Sequence, residues 1–215
     1  EKTHKGKLKN SPSPMYKLLV LDLDGTLTNS KKEIPEHNLN TLLRAQEKGL
    51  RIVLASGRPT YGITPLAEQL QLERFGGYIL SFNGGQIIDC QTNKVIYETV
   101  LDPAHYNYLY EQGNTDDFKI ISYEDNYIVG EDIENEYIKY EAFLNKMPLK
   151  KVENFRKHFN CPLPKCLVVG EPTKLAELEK KMHEKLKDVM SVYRSEPFFL
   201  ELLPLGIDKA KSLAV

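Results

Sequence analysis

The sequence predicts an α/β fold, in which a doubly wound, Rossmann-like parallel sheet is interrupted by an inserted α+β cap domain. Short apolar segments alternate with helical patterns over the first 85 residues, which is typical of βαβ units. Three of these apolar segments end in small polar or charged residues. Further along, hairpins mixed with helices indicate a separate module built on an antiparallel sheet.

The composition excludes several classes of protein. The chain has 215 residues, of which 41% are hydrophobic, and a net charge of −1. The near-neutral charge gives no indication of a nucleic-acid partner. The sequence contains no run of about 18 apolar residues, so no membrane-spanning helix is expected. The three cysteines form no Cys-x-x-Cys pair and the histidines lack ligand spacing, so we expect free thiols in a reducing cytoplasm. The sequence gives no indication of the oligomeric state.

Residues 1–14 are basic, contain two prolines and are almost without apolar residues. They are expected to be a disordered arm or a tag, since they hold no apolar segment suited to a secretory signal. The first part of the core domain is predicted over 15–85.

The first predicted strand is the apolar run Leu18–Leu21, expected to be covered on both faces of a parallel sheet. Asp22 and Asp24 follow it, and then Gly25 and Thr26. Because a carboxylate inside a sheet is costly, both should lie at the carboxyl edge, where ligands bind in open α/β sheets.

Two carboxylates so close repel each other, and two interpretations follow. Asp22 and Asp24 hold Mg²⁺ through their oxygens, or one is a nucleophile and the other a proton donor. The two interpretations are compatible. The alternative is an ordinary Asp-Gly turn with Asp22 as a stray edge residue.

A helix after Pro35 and a second strand, Leu50–Ala55, come next. The strand ends in Ser56, Gly57 and Arg58, and a helix begins behind them. A hydroxyl, free backbone N–H groups and a helix N-terminus suit a phosphate, although the same residues also make an ordinary helix cap.

A helix over 61–72 and a third strand, Tyr78–Ser81, complete the βαβαβ pattern. Asn83 follows this strand, either as a turn former or as a ligand-binding residue.

The cap domain is predicted over 86–203, starting with a hairpin of Gln86–Asp89 and Val95–Val100. Residues 204–215 return to the core, with Asp208 as a helix cap and Lys209 in the first helical turn. The other predicted elements of the cap are helices near 106–110, 134–145, 152–159 and 172–187 and strands at 118–123, 127–129, 165–169, 189–194 and 198–203.

The segment Leu-Asp-Leu-Asp-Gly-Thr resembles the first motif of the haloacid dehalogenase superfamily. The resemblance implies that Asp22 is the nucleophile that accepts a phosphoryl group. It implies that Asp24 is the general acid and base and that Thr26 helps to fix the loop. The inserted module is similar to the type II cap of the Cof-like, sugar-phosphatase branch.

Further positions are similar to motifs of the same branch. Ser56 matches the hydroxyl residue of the second motif, with Gly57 beside it, and Arg58 matches a basic residue that follows. Asn83 matches a substrate-contacting asparagine, and Lys209 matches the lysine that neutralises the nucleophile and the phosphate.

The resemblance implies a Mg²⁺-dependent phosphohydrolase. Its substrate is a small phosphorylated metabolite, expected to be a sugar phosphate, and the reaction passes through an aspartyl phosphate. The alternatives are a phosphomutase on the same framework and a non-catalytic module that binds a phosphorylated ligand.

The superfamily's fourth motif, Gly-Asp-x-x-Asn-Asp, does not occur in these residues, and only three core strands are predicted. In the family its acidic residues complete the Mg²⁺ shell. We therefore expect the core to be incomplete, and residues 1–215 by themselves to bind Mg²⁺ weakly and to hydrolyse phosphoesters poorly.

Overall fold

The computed structural model describes residues 16–213, which form two β-sheets with helices packed against them. One sheet has five strands in the order β1-β2-β3-β4-β5, and the other has six in the order β10-β11-β9-β6-β7-β8. The expected α/β architecture with a second, α+β module is confirmed, and the six-stranded sheet, which was expected to be antiparallel, contains one parallel pair of strands. No helix within these residues is both long and apolar enough to cross a membrane.

The parallel part of the first sheet consists of β1 (Leu18–Asp22), β2 (Arg51–Ala55) and β3 (Tyr78–Ser81). These strands are direct neighbours, and Asp22 lies opposite Ala55 in the register. The loops that follow the three strands therefore leave the sheet at one edge. In the described residues β1 is the outer strand and Leu18 is 46% exposed, so the expected cover on both of its faces is not observed.

Helices α1 (Glu36–Glu47), α2 (Thr60–Gln69) and α3 (Leu72–Phe75) pack on this sheet. The helix expected over 61–72 ends early, because Gln71 has a left-handed φ of 53° that separates α2 from α3. The buried core here combines sheet and helix residues: Ile52, Leu54, Ile63, Leu66, Leu70 and Leu72.

The hairpin of β4 (Gln86–Asp89) and β5 (Lys94–Glu98) extends the first sheet. Strand β4 pairs antiparallel with β3, whereas the sequence-based boundary placed the hairpin in the cap domain. The connection through Phe82–Gly84 is so short that β4 folds straight back onto β3. The composition of β4 and β5 suits a strand of either sheet, so only the observed strand pairing shows which sheet the hairpin belongs to.

The six-stranded sheet begins at residue 118, and we call it and its helices the cap. Strand β8 was not expected, because three residues with two lysines show no apolar alternation. The elements of the cap are α4 (Tyr106–Gly113), β6 (Phe118–Glu124), β7 (Tyr127–Gly130), α5 (Glu136–Asn145), β8 (Leu149–Lys151), α6 (Phe155–His158), β9 (Cys166–Gly170), α7 (Pro172–Leu186), β10 (Met190–Glu196) and β11 (Phe199–Pro204).

Neighbouring residues of the cap strands point to opposite faces of the sheet. Ile120 and Val168 pack with α4 and α7 in one apolar cluster. Ile121 and Leu167 belong to a second cluster, which also includes Phe82 from the loop after β3. This second face of the cap is therefore the one that contacts the first sheet.

Candidate active site

Asp22 is the last residue of β1, and its carboxylate faces a lysine from the other end of the chain. The Lys209 ammonium donates a hydrogen bond to Asp22 Oδ1 at 2.5 Å. Both side chains are partly exposed, at 42% for Asp22 and 38% for Lys209. The structure thus brings together the two residues expected to be the nucleophile and its neutralising cation.

The position of Lys209 is set by α8 (Lys209–Ser212). Asp208 caps this helix by accepting a hydrogen bond from the Ala210 N–H at 2.6 Å. The Ser212 hydroxyl donates to the Gly84 carbonyl oxygen at 2.9 Å, which ties α8 to the loop after β3. The first turn of α8 is thereby placed beside the end of β1.

Gly84 is expected to tolerate no side chain, because its φ is +94° and a Cβ would lie 2.5 Å from Ser212 Oγ. We predict that Gly84→Ala lowers the free energy of unfolding by more than the roughly 1–3 kcal/mol of backbone strain alone. Gly49→Ala is the matched control, since Gly49 has a φ of +92° and open space around it. Denaturant unfolding of both variants measures the difference, and equal losses would show that the contact with Ser212 contributes nothing.

Asp24 points to two cations rather than to Asp22. The Arg58 guanidinium forms a two-point contact, with Nε 2.9 Å from Oδ2 and Nη2 2.7 Å from Oδ1. Lys32 Nζ lies 2.7 Å from the same Oδ1. Lys32 was not found from the sequence, because it lies in a polar loop without any pattern.

These cations favour the ionised form of Asp24. Partial burial raises the pKa of the Asp24 carboxyl, but hydrogen bonds and charge from Arg58 and Lys32 outweigh it and leave the pKa below its usual value. Arg58 itself is only 8% exposed. Asp24 is therefore a carboxylate held in place by two cations.

The loop after β1 is fixed by Thr28, which was not expected. Its hydroxyl donates to the Leu23 carbonyl oxygen at 2.9 Å and is buried. Thr26 contributes through its backbone N–H, which is 3.3 Å from the same oxygen, while its side chain is exposed.

Ser56 and Gly57 lie directly behind β2. The Ser56 hydroxyl accepts a hydrogen bond from the Arg58 N–H at 3.2 Å, and only 3% of Ser56 is exposed. A Cβ on Gly57 would lie 2.9 Å from Asn83 Oδ1, so the loops after β2 and β3 are in close contact. Four residues that were expected at the site therefore lie together at one edge of the sheet: Ser56, Gly57, Arg58 and Asn83.

Asn83 connects the sheet edge to the cap. Its backbone N–H donates to the Ser56 carbonyl oxygen at 3.0 Å, and its side-chain Nδ2 donates to the Tyr193 hydroxyl at 2.7 Å. Both Asn83 and Phe82 have left-handed backbones, with φ of 60° and 51°. Such strain is typical of functional sites, and here it turns the Asn83 amide toward the cap.

A cavity of about 200 Å³ lies between this edge and the cap. Lys165 crosses it, with Nζ 2.9 Å from Glu201 Oε2 and 3.3 Å from the Gly57 carbonyl oxygen. The cap residues of this cavity were not named from the sequence, because their contacts join segments far apart in the chain. The cavity is lined by Asp24, Lys32, Ser56, Gly57, Arg58, Tyr140, Glu141, Leu144, Asn145, Lys165, Ser195, Glu196, Phe199 and Glu201.

A larger groove of about 1000 Å³ lies between α2, α3 and the β4–β5 turn. None of the residues expected at the active site lines it. The smaller cavity, by contrast, is lined by Asp24, Ser56 and Arg58, while Asp22 and Lys209 lie outside its lining. We therefore assign the chemistry to this edge of the sheet, beside the smaller cavity.

The residues at the strand ends suit a hard divalent cation only in part. Asp22 has a second carboxylate oxygen without a hydrogen-bond partner in the described chain, and oxygen is the ligand that Mg²⁺ prefers. Asp24 was expected to supply a second oxygen ligand, but its carboxylate is occupied by Arg58 and Lys32. Residues 16–213 contain no group of three or more acidic, histidine or cysteine side chains suited to a metal.

Comparison with known proteins places the chain in a family. The sequence model of the family described as haloacid dehalogenase-like hydrolase matches residues 19–215. The Bacillus subtilis protein named "Putative phosphatase YxeH" is 30% identical over 205 residues, which are 93% of this chain and 74% of that protein.

Solved structures agree with this result. A haloacid dehalogenase-like hydrolase from Bacteroides thetaiotaomicron is 51% identical with a TM-score of 0.89, over 93% of this chain and 75% of that one. A subclass IIB sugar phosphatase, 24% identical over 92% of this chain and 74% of its own, shares the fold with a TM-score of 0.72. Phosphatases of this superfamily generally use a divalent metal. The chain belongs to the haloacid dehalogenase-like hydrolase family.

Proposed function

We propose that the protein is a Mg²⁺-dependent phosphohydrolase that removes phosphate from a small phosphorylated metabolite, a sugar phosphate, through an aspartyl phosphate on Asp22. The observation that carries this proposal is the Asp22–Lys209 pair at the end of β1. A carboxylate with one oxygen held by a lysine and the other without a hydrogen-bond partner among residues 16–213 suits attack on phosphorus.

In the first step the free oxygen of Asp22 attacks phosphorus, and the bond from phosphorus to the leaving oxygen breaks. Lys209 offsets the repulsion between the Asp22 carboxylate and the incoming phosphate dianion. The Ser56 hydroxyl and the Gly57 N–H bind non-bridging oxygens, while Arg58 and Asn83 help to hold the phosphate or the sugar.

Asp24 protonates the leaving oxygen and then removes a proton from the water that hydrolyses the aspartyl phosphate. The second task suits its ionised state in this structure. The first requires a proton on Asp24. A bound phosphate competes with Asp24 for Arg58 and Lys32, and weaker ion pairs let the pKa of the Asp24 carboxyl rise.

The Asp22 carboxylate and the Asp24 main-chain carbonyl would hold the metal ion. When bound, Mg²⁺ supplies positive charge that reduces the repulsion between Asp22 and the phosphate. The free thiols of Cys90, Cys161 and Cys166 support a reducing compartment, and we place the reaction in the cytoplasm.

A phosphate-release assay of the full-length protein on hexose, pentose and glycerol monophosphates tests this function. We expect release of inorganic phosphate that requires Mg²⁺ and stops when the ion is chelated with EDTA. Conversion of a hexose phosphate to its isomer without phosphate release would instead identify a phosphomutase. Binding of the sugar phosphates without turnover would contradict catalysis.

A further inference from the structure

The cap side of the 200 Å³ cavity contains three ionisable side chains that are almost fully buried. Lys165 is 2% exposed, and Glu141 and Glu201 are each 6% exposed. Charged groups are rarely buried to this degree without a partner, so each of the three needs a partner either within the protein or in what the cavity binds.

Glu201 has its partners within the protein. Its Oε2 accepts a hydrogen bond from Lys165 Nζ at 2.9 Å, and its Oε1 accepts one from the Ser195 hydroxyl at 2.9 Å. Lys165 also lies 5.2 Å from the centre of the Tyr123 ring. This pair is a structural ion pair that fixes one wall of the cavity.

Glu141 is only half satisfied. Its Oε1 accepts a hydrogen bond from the Tyr123 hydroxyl at 2.7 Å, while its other carboxylate oxygen accepts no hydrogen bond of normal geometry from residues 16–213 and has only the nearby Asn145 side chain as a weak donor. Burial raises the pKa of the Glu141 carboxyl against the opposing effects of Lys165, Tyr123 and Asn145. The described residues therefore supply too few donors to this carboxylate.

Asn145 lines the same cavity and is also short of a donor. Its Nδ2 donates to the Glu141 carbonyl oxygen at 2.9 Å, but its Oδ1 is buried and unpartnered in the described chain. A buried acceptor without a donor is destabilising unless a bound ligand or water supplies one. Glu141 and Asn145 lie four residues apart on α5, so the buried carboxylate and the unpartnered amide oxygen share one helix face.

The charges around the cavity are divided unequally. On the core side, Asp24 is matched by Arg58 and Lys32. On the cap side, the cavity is lined by one cation, Lys165, and by three acidic residues, Glu141, Glu196 and Glu201. Even with Glu141 protonated, because burial raises its pKa, the other two carboxylates outnumber Lys165. The cap side thus carries an excess of negative charge, which is the opposite of what a second phosphate or a carboxylate would need.

We propose that Glu141 and Asn145 are specificity-determining residues that accept hydrogen bonds from hydroxyl or amino groups of the leaving group. The cap carboxylates exclude leaving groups that carry a second anionic group. The favoured substrates are accordingly monophosphate esters of polyhydroxy or amino alcohols, and bisphosphates and phosphorylated carboxylic acids are disfavoured. This inference rests on the proposed phosphatase function.

The first test compares Glu141→Gln with wild type on hexose 6-phosphate and on p-nitrophenyl phosphate, which has no hydroxyl donor. Losing one hydrogen bond to a charged acceptor lowers kcat/KM by about tenfold or more. We expect that loss for hexose 6-phosphate relative to p-nitrophenyl phosphate. Glu177→Gln, an exposed residue of α7 with the same charge change, should leave both rates unchanged. An equal loss on both substrates would show that Glu141 has only a structural role.

The second test reverses a charge at the exposed rim, where folding is not at risk. Glu196→Lys should raise kcat/KM for hexose 1,6-bisphosphate several-fold relative to hexose 6-phosphate, and added salt should reduce the gain. Wild type should prefer the monophosphate. The specificity proposal would be overturned if wild type turned over the monophosphate and the bisphosphate at equal rates, or if neither variant changed the ratio of its two substrate rates. The proposed phosphatase activity would still stand in either case. No turnover of any phosphoester would overturn both proposals.

Discussion

Replacing Asp22 with Asn is expected to reduce phosphate release to near the uncatalysed level while the protein remains folded. An amide is a poor nucleophile and a weaker metal ligand than a carboxylate. It also gives up the ion pair with Lys209 that is present in the structure. Removing a catalytic nucleophile costs on the order of 10⁴- to 10⁶-fold in rate. Because Asp22 is 42% exposed at the end of an outer strand, unfolding is not expected to explain the loss.

Asp116→Asn is the matched control, since Asp116 is an exposed aspartate in the loop before β6. It should retain the wild-type rate. Phosphate release and thermal unfolding measured together separate catalysis from folding. An Asp22→Asn variant that keeps even a tenth of the wild-type rate would exclude this residue as the nucleophile.

Replacing Asp24 with Asn is expected to lower kcat by about 10²- to 10⁴-fold, the usual contribution of general acid–base catalysis. Both protonation of the leaving group and activation of water would suffer. The Asp116→Asn variant again controls for a simple change of charge. A rate within threefold of wild type would mean that another group transfers the proton.

The same variant has a pH-dependent effect on stability. Because the folded-state pKa of Asp24 lies below its usual value of 3.8, its ion pairs stabilise the protein at higher pH. That stabilisation is lost as the pH falls through the folded-state pKa. The difference in unfolding free energy between wild type and Asp24→Asn should therefore be largest above about pH 4 and shrink below it. A difference independent of pH would show that Asp24 gains nothing from Arg58 and Lys32.

The edge of the sheet where the site lies was predictable from sequence. Asp22, Ser56 and Asn83 each follow an apolar segment, and parallel neighbouring strands bring such positions together. Lys209 was placed by its likeness to a family motif, and the structure sets it on Asp22. The catalytic roles of these residues remain predictions.

Contacts between distant segments were not predictable. The β4–β5 hairpin has a strand pattern, but no local signal says which sheet it joins. Lys165 and Gly57 are 108 residues apart, and a lysine in sequence is most often on the surface. Lys32 pairs with Asp24 from a loop that has neither apolar alternation nor helical spacing. Side chains that contact each other across a cavity follow no periodic pattern in the sequence, so sequence reasoning does not identify them.

The central claim is that Asp22 carries the phosphoryl group during turnover. Rapid acid quenching of the full-length protein with a ³²P-labelled hexose phosphate and Mg²⁺, followed by peptide mapping, tests it directly. We predict an acid-stable, hydroxylamine-sensitive label on the peptide that contains Asp22, and no label in Asp22→Asn. A label on another residue, or steady phosphate release without any labelled protein, would contradict the account.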